Sequence, residues 1–172
     1  NALFHSSSGG MTENSEDVWK NKYPYLTSVK DFDKKNPKLK WQKKFSNKEL
    51  INLFPKIGGI KNIEILNITN TGRVKNVKLI GDYGSDQMSG VDLRKRLGLN
   101  SNFMRFKFIE EELNKKSPVK KSLIVFGQGS GHGVGMSQWG AKYMASKGQK
   151  AERILRYFYR GVQIKPFKKD YR

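Results

Sequence analysis

A chain of 172 residues suits one domain or two small lobes, and its 34 Lys+Arg against 15 Asp+Glu leave a net charge of +19. So lopsided a charge does not suit an ordinary metabolic enzyme and points to a polyanionic partner: nucleic acid, an anionic cell wall or an anionic membrane surface. The absence of cysteine excludes a disulfide scaffold and thiolate chemistry, and no segment approaches the roughly 20 apolar residues that span a bilayer.

Taken in chain order, Leu3-Phe4-His5 reads as the middle of a strand, and Ser6-Ser7-Ser8-Gly9-Gly10 is a loop by composition. Residues 3 to 29 form no clear helical face, and Lys30 to Phe45 reads as a weakly structured basic connector. Ser46-Asn47-Lys48-Glu49 has capping-box spacing and opens a short helix carrying Leu50, Ile51, Leu53 and Phe54, stopped by Pro55. Ile60 to Thr69 and Val74 to Asp82 alternate apolar and polar residues around an Asn70-Thr71-Gly72-Arg73 turn, which predicts a hairpin. Ser89 begins another helix with Leu93 and Leu97 inward and Gly98 as its stop. Phe103, Arg105 to Phe108 and Leu123 to Phe126 read as strands flanking a charged loop at Glu110 to Lys121. Met136, Trp139, Gly140 and Tyr143 fall at helical spacing. Ala151, Ile154, Leu155 and Phe158 repeat as one buried helical face, Gly161 ends it, and Val162 to Ile164 reads as a closing strand.

The sum is an α+β fold of antiparallel hairpins with short helices packed around them, not a doubly wound parallel sheet. Residues 1–172 read as one domain with two sub-lobes, 1–45 with 120–172 and 46–119. Lysine clusters occur at 30–48, at 115–121 and at Lys168, Lys169 and Arg172. Lysine far outnumbers arginine in them, so specific nucleic-acid recognition is not expected.

The densest signal is Phe126-Gly127-Gln128-Gly129-Ser130-Gly131-His132-Gly133-Val134-Gly135-Met136-Ser137-Gln138, with glycine at every second position from 127 to 135. Such a run demands close approach of something large or a path with positive φ. An extended backbone would place Gln128, Ser130, His132 and Val134 on one face. The run lacks the dinucleotide fingerprint and the P-loop lysine. His132, flanked by glycines, suits hydrogen bonding or proton transfer to a substrate; it equally suits a donor to a backbone carbonyl that holds the loop. His5 beside Ser6, Ser7 and Ser8 raises a serine nucleophile, but no nucleophile elbow or triad acid accompanies it. Two histidines without cysteine give no metal cluster. Glu13, Glu16 and Asp17 beside Trp19 fit both a carbohydrate site and helix caps; the cap suits Glu16, and Glu13 and Asp17 stay open.

Several of these stretches resemble the stage II sporulation protein D family. They are Phe4-His5-Ser6-Ser7-Ser8-Gly9-Gly10 with Thr12-Glu13 and Asp17-Val18-Trp19, then Tyr23-Pro24-Tyr25-Leu26 and Ser28-Val29. Asp92-Leu93-Arg94 with Leu97-Gly98-Leu99, Gly131-His132-Gly133-Val134-Gly135-Met136-Ser137-Gln138-Trp139-Gly140-Ala141, and Tyr157-Phe158-Tyr159 with Gly161-Val162 complete the match. The family also includes amidase enhancers, a non-enzymatic wall-binding alternative. The resemblance implies a peptidoglycan lytic transglycosylase that cuts MurNAc–GlcNAc bonds of glycan strands without water during forespore engulfment. It also implies an extracytoplasmic place behind an N-terminal membrane anchor, and work alongside stage II sporulation proteins P and M.

The same resemblance places the catalytic glutamate in an upstream helical segment of Glu-Ala-Leu-Lys-Ala-Gln-Ala type, which these residues do not contain. The chain is therefore expected to be the C-terminal part of such an enzyme, inactive alone, with no zinc and no cofactor. Trp139 stands where the family often has tyrosine. The residues expected to bind substrate are His5, Ser6, Ser7, Ser8, Gly9, Gly10, Thr12, Glu13, Ser130, His132, Gly133, Met136, Ser137 and Gln138. The serine–glycine segment and the glycine run are expected to line one cleft, so that His132→Ala and Ser7→Ala each weaken glycan binding without lowering the melting temperature.

Overall fold

Residues 2–19, 21–111 and 120–165 are described by a computed structural model. Its strands are β1 (Phe4–His5), β2 (Lys40–Ser46), β3 (Asn62–Ile68), β4 (Val74–Ile80), β5 (Ser85–Ser89), β6 (Met104–Glu111), β7 (Lys120–Gln128) and β8 (Met136–Ser137). Its helices are α1 (Ser15–Val18), α2 (Asn47–Leu53), α3 (Gly90–Leu97), α4 (Gln138–Ser146) and α5 (Ala151–Phe158). Two antiparallel sheets, ordered β2–β7–β6 and β3–β4–β5, carry most of the strands, and β1 pairs with β8 in parallel. The α+β expectation holds. Most of the charged loop, with Lys115 and Lys116, lies outside the described residues, as do Lys168, Lys169 and Arg172.

Local chemistry explains the elements. The Ser46 hydroxyl accepts from the Glu49 N–H while the Glu49 carboxylate accepts from the Ser46 N–H, so both ends of the capping box are closed. Ser89 caps α3 through the Asp92 N–H, and Gly98 ends it in the left-handed region at φ 60°. Leu93 and Leu97, one turn apart, point into the core. Phe45, Leu50, Val74, Val77, Leu79, Leu93, Met104, Leu123 and Val125 belong to the larger hydrophobic cluster. Leu26, Val29, Val134, Met144, Ile154 and Phe158 belong to a smaller one. Each fully buried side chain of this kind is worth roughly 1.5–3 kcal/mol. Val74 and Val134 therefore fix, from separate clusters, the two polar segments that adjoin them.

Three segments differ from the sequence reading. Lys40–Ser46 is a strand, not a loose connector: Trp41 and Phe45 face the core, and Lys43, on that same face, reaches out to donate from Nζ to the Leu97 carbonyl at the end of α3. Its lysines hid the alternation. β5 is a polar edge strand with no apolar period to betray it. Val162 to Ile164 forms no strand. Among the described residues no helix is long and apolar enough to cross a membrane.

Candidate functional site

The serine–glycine segment and the glycine run lie against each other although more than 110 residues separate them in sequence. Phe4 and His5 pair with Met136 and Ser137. Ser7 and Ser130 exchange backbone hydrogen bonds of 3.1 and 2.7 Å, and the Glu13 N–H donates to the Gly133 carbonyl at 2.7 Å. The alternate glycines make this contact possible. Gly129, Gly131, Gly133 and Gly135 all have positive φ, from 75° to 108°, so the run is not the flat extended strand that alternation suggests. Close approach operates as well. A Cβ on Gly131 would lie 2.7 Å from the His5 Cβ, and one on Gly133 would lie 2.7 Å from an Arg73 nitrogen. At Gly127 a Cβ would overlap the Trp41 indole.

Arg73 is the hub beneath the site. It is 1 % exposed and faces Glu13, which is 0 % exposed, at 3.4 Å. Its guanidinium also donates to Thr71 Oγ1 at 2.7 Å, to the Met11 carbonyl at 3.0 Å and to the Ser8 carbonyl. Glu13 accepts from Thr69 Oγ1 at 2.6 Å, from Thr71 Oγ1, and from the Asn14 N–H at 3.0 Å. This buried pair, hydrogen-bonded through both terminal nitrogens of Arg73, ties the β3–β4 turn to the serine–glycine loop, and removing either partner strands a charge. Burial pulls the Arg73 pKa down, and Glu13 opposes that pull.

A second buried polar group lies under Ser8 and Gly9. The Ser8 hydroxyl donates to Asp31, and the Gly9 N–H donates to Asp33 at 2.7 Å. Burial, then the neighbouring Asp31 carboxylate, pushes the Asp33 carboxyl up to about 6. Asn36 Nδ2 donates to Ser7 Oγ at 2.9 Å.

Two imidazoles and an indole form the upper part. The His5 Nδ1–H donates to the Val134 carbonyl at 3.1 Å, and the Val134 N–H donates to His132 Nδ1 at 3.1 Å. Burial, helped by His132, pushes His5 down to about 4, so it is neutral at pH 7, and its Nε2 has no partner among the described residues. Burial also lowers His132, against a hydrogen bond with the Phe4 backbone. His132 packs between His5 and Trp19, with ring centroids 5.6 and 5.2 Å away. Trp19 lines two hollows. One, of about 370 Å³, is polar and includes Asp17, Lys75, Asn76, Asp92 and Asn102. The other, of about 460 Å³, includes Leu3, Tyr23 and Tyr25.

The residues singled out in the sequence thus divide by access. Ser6, Gly9, Gly10, Ser130, His132 and Met136 are half-buried and Gln138 is exposed. His5, Ser7, Ser8, Thr12, Glu13, Gly133 and Ser137 are buried, with hydrogen bonds directed into the protein. Ser137, for instance, caps α4 through the Gly140 N–H. Arg73, Asp31, Asp33 and Asn36 were not singled out by sequence reasoning. Arg73 sits in a turn and the aspartates in a lysine-rich stretch, where charges ordinarily face solvent. Among the described residues no group of three or more His, Asp or Glu converges to hold a metal ion.

No family model matches the chain. Over 165 residues, 95% of its length, it is 36% identical to "Stage II sporulation protein D" of Bacillus subtilis strain 168 and 34% identical to that of Bacillus amyloliquefaciens. In each case it covers 44% of the relative. It is also 24% identical over 215 residues to "Amidase enhancer" of Bacillus subtilis, covering 95% of the chain and 29% of the enhancer.

Proposed function

We propose that this chain, a member of the stage II sporulation protein D family that spans about half the length of the curated relatives it matches, is the glycan-holding part of a peptidoglycan lytic transglycosylase. The parent acts outside the cytoplasm of a sporulating bacterium, anchored by an N-terminal segment, alongside stage II sporulation proteins P and M. The general acid comes from outside these 172 residues. The observation that carries this reading is a site with an imidazole and an indole near the surface whose carboxylates are buried or partnered within the protein, Asp92 accepting from Ser89 Oγ. Glu13 is locked to Arg73, Asp31 and Asp33 are buried under Ser8 and Gly9, and Asp17 is ion-paired to Lys75 at 2.8 Å.

Such a surface suits neutral sugar hydroxyls and acetamides. It does not suit protonation of a glycosidic oxygen, which needs a carboxyl free to reach the bond. In the reaction proposed, the external acid protonates the bridging oxygen, and the C6 hydroxyl of the muramoyl sugar attacks its own anomeric carbon while giving its proton to the carboxylate so formed. The C–O bond to the neighbouring sugar breaks, no water is consumed, and an anhydro end results. The chain's part is to bind and orient the strand.

A second reading, a wall-binding enhancer of an amidase, draws on the similarity to the amidase enhancer and on the same lack of a free carboxylate. The test is mass spectrometry of peptide-free glycan strands after incubation with the 172-residue chain and with an N-terminally extended protein. Anhydro-muramoyl ends are expected from the extended protein alone. Cleavage by the chain alone overturns the external acid, and reducing MurNAc ends mean hydrolysis. No cleavage by either, with stimulation of an amidase, favours the enhancer.

A further inference from the structure

A groove of about 460 Å³ on the solvent face of the β2–β7–β6 sheet is lined by Lys40, Phe103, Arg105, Phe126 and Gln128, and the core-facing Trp41 reaches its edge beside Gly127. The register creates it. Lys40 pairs with Gln128, and Arg105 with Phe126, so these four side chains emerge on one face, joined by Phe103 two residues before Arg105. Phe126 is 40 % exposed, which is unusual for a large aromatic ring in a middle strand. Strand pairing thus sets Phe126 and Phe103 beside Lys40 and Arg105.

The groove begins where the serine–glycine loop ends. Gln128 Nε2 donates to the Gly9 carbonyl at 3.1 Å, and a Cβ on Gly9 would lie 3.0 Å from Gln128 and 3.1 Å from Phe103. Loop and groove are therefore one continuous surface. Its cations are uncommitted to acids. Among the described residues Lys40 has no carboxylate partner, and Arg105 donates only to the carbonyls of Met104 and Gly72, at 2.9 and 3.4 Å.

We propose that this groove is a subsite for the portion of a glycan strand beyond the serine–glycine loop, in which Phe126 and Phe103 stack on sugar rings and Arg105 and Lys40 hold the lactyl carboxylates. The proposal rests on the glycan-binding reading above and adds to it a preference for carboxylate-bearing sugars. Aromatic faces favour the apolar faces of sugar rings, and cations beside them discriminate an acidic polymer from a neutral one. A neutral chitin chain lacks the lactyl group and meets only the rings.

The test measures binding of the full chain to peptide-free glycan strands and to chitin oligosaccharides of equal length, at matched salt. Arg105→Gln with Lys40→Gln is expected to weaken the acidic strand by about fivefold and leave chitin unchanged. Phe126→Ala is expected to weaken both by about fivefold. Unchanged affinity for the acidic strand in both variants overturns the proposal, as does equal loss for both polymers in the cation variant. Tight single-stranded DNA binding at physiological salt, lost in Phe126→Ala and with no glycan binding, overturns it in favour of nucleic acid. His132→Ala separates the two readings. If it binds like the parent while the groove variants fail, the histidine site is wrong and the groove stands.

Discussion

His5 and His132 are linked through Val134, which accepts from one imidazole through its carbonyl and donates to the other through its N–H, each at 3.1 Å. The arrangement fixes both tautomers without a water or a metal. His5 keeps its proton on Nδ1 and His132 on Nε2. Val134 itself is anchored in the smaller hydrophobic cluster, so its packing helps set where both rings lie.

His132 is half-buried against Trp19, which makes it the imidazole a ligand can reach. His132→Ala removes a ring that packs beside Trp19 and should weaken glycan binding about three- to tenfold, at a cost of about 1 kcal/mol through the lost Val134 contact. Ser7 is a different case, because its hydroxyl is buried and accepts from Asn36. Ser7→Ala should leave affinity within about twofold and cost about 1–2 kcal/mol, since Asn36 loses a partner. Calorimetric binding and urea unfolding of the two variants check both. A Ser7→Ala variant that is fully stable but does not bind would return the hydroxyl to the ligand.

The buried Arg73–Glu13 pair should behave as one unit. Arg73→Met leaves Glu13 charged and enclosed and should cost about 3–5 kcal/mol. Once Glu13→Gln has removed that charge, the further loss of Arg73 should be smaller, because Thr69 and Thr71 can still bond the amide. A double-mutant cycle by urea denaturation should give a coupling above about 1 kcal/mol. Additivity within about 0.5 kcal/mol would show that the pair is not coupled.

What was legible in the sequence was local chemistry. The capping box at Ser46, the glycine stop at 98 and the face of α5 follow from neighbouring residues, and the structure has them. The convergence of the two small-residue segments was also legible from their shared composition. Arg73 was not, because nothing in a turn sequence says that its arginine will turn inward to meet a glutamate sixty residues earlier. The Trp41–Phe45 alternation was hidden by Lys43, which sits on the same face and carries its ammonium out to the Leu97 carbonyl.

Gly131 and Gly10 form a matched pair that separates backbone strain from crowding. Their φ angles are 108° and 107°, so alanine meets the same backbone penalty at both, on the order of 1 kcal/mol. Only at Gly131 does the added Cβ collide, 2.7 Å from the His5 Cβ, whereas at Gly10 it meets nothing within 4 Å. Gly131→Ala should therefore be less stable than Gly10→Ala by about 1–3 kcal/mol and should lose glycan binding as His5 shifts. Thermal unfolding of both variants decides it. Equal losses would mean that the run needs only its positive φ.

The last prediction concerns acid. His5 has its pKa lowered from 6.5 to about 4, so its neutral form is favoured by folding. Its contribution is complete above pH 6.5 and lost as the pH falls towards 4. Asp33 has its pKa raised from 3.8 to about 6, so its protonated form is favoured, and that contribution is complete below 3.8 and lost as the pH rises through 6. At about 1.4 kcal/mol per pH unit each amounts to about 3 kcal/mol, with opposite slopes in one window. The parent should therefore show a nearly flat stability from these two groups between pH 4 and 6. His5→Asn keeps a donor for the Val134 carbonyl and leaves only the Asp33 slope, so its stability should fall as the pH rises across that window. Asp33→Asn keeps an acceptor for the Gly9 N–H and leaves only the His5 slope, so its stability should climb. Urea denaturation at pH 4, 5, 6 and 7 reads all three curves, and parallel curves would mean that neither group titrates there.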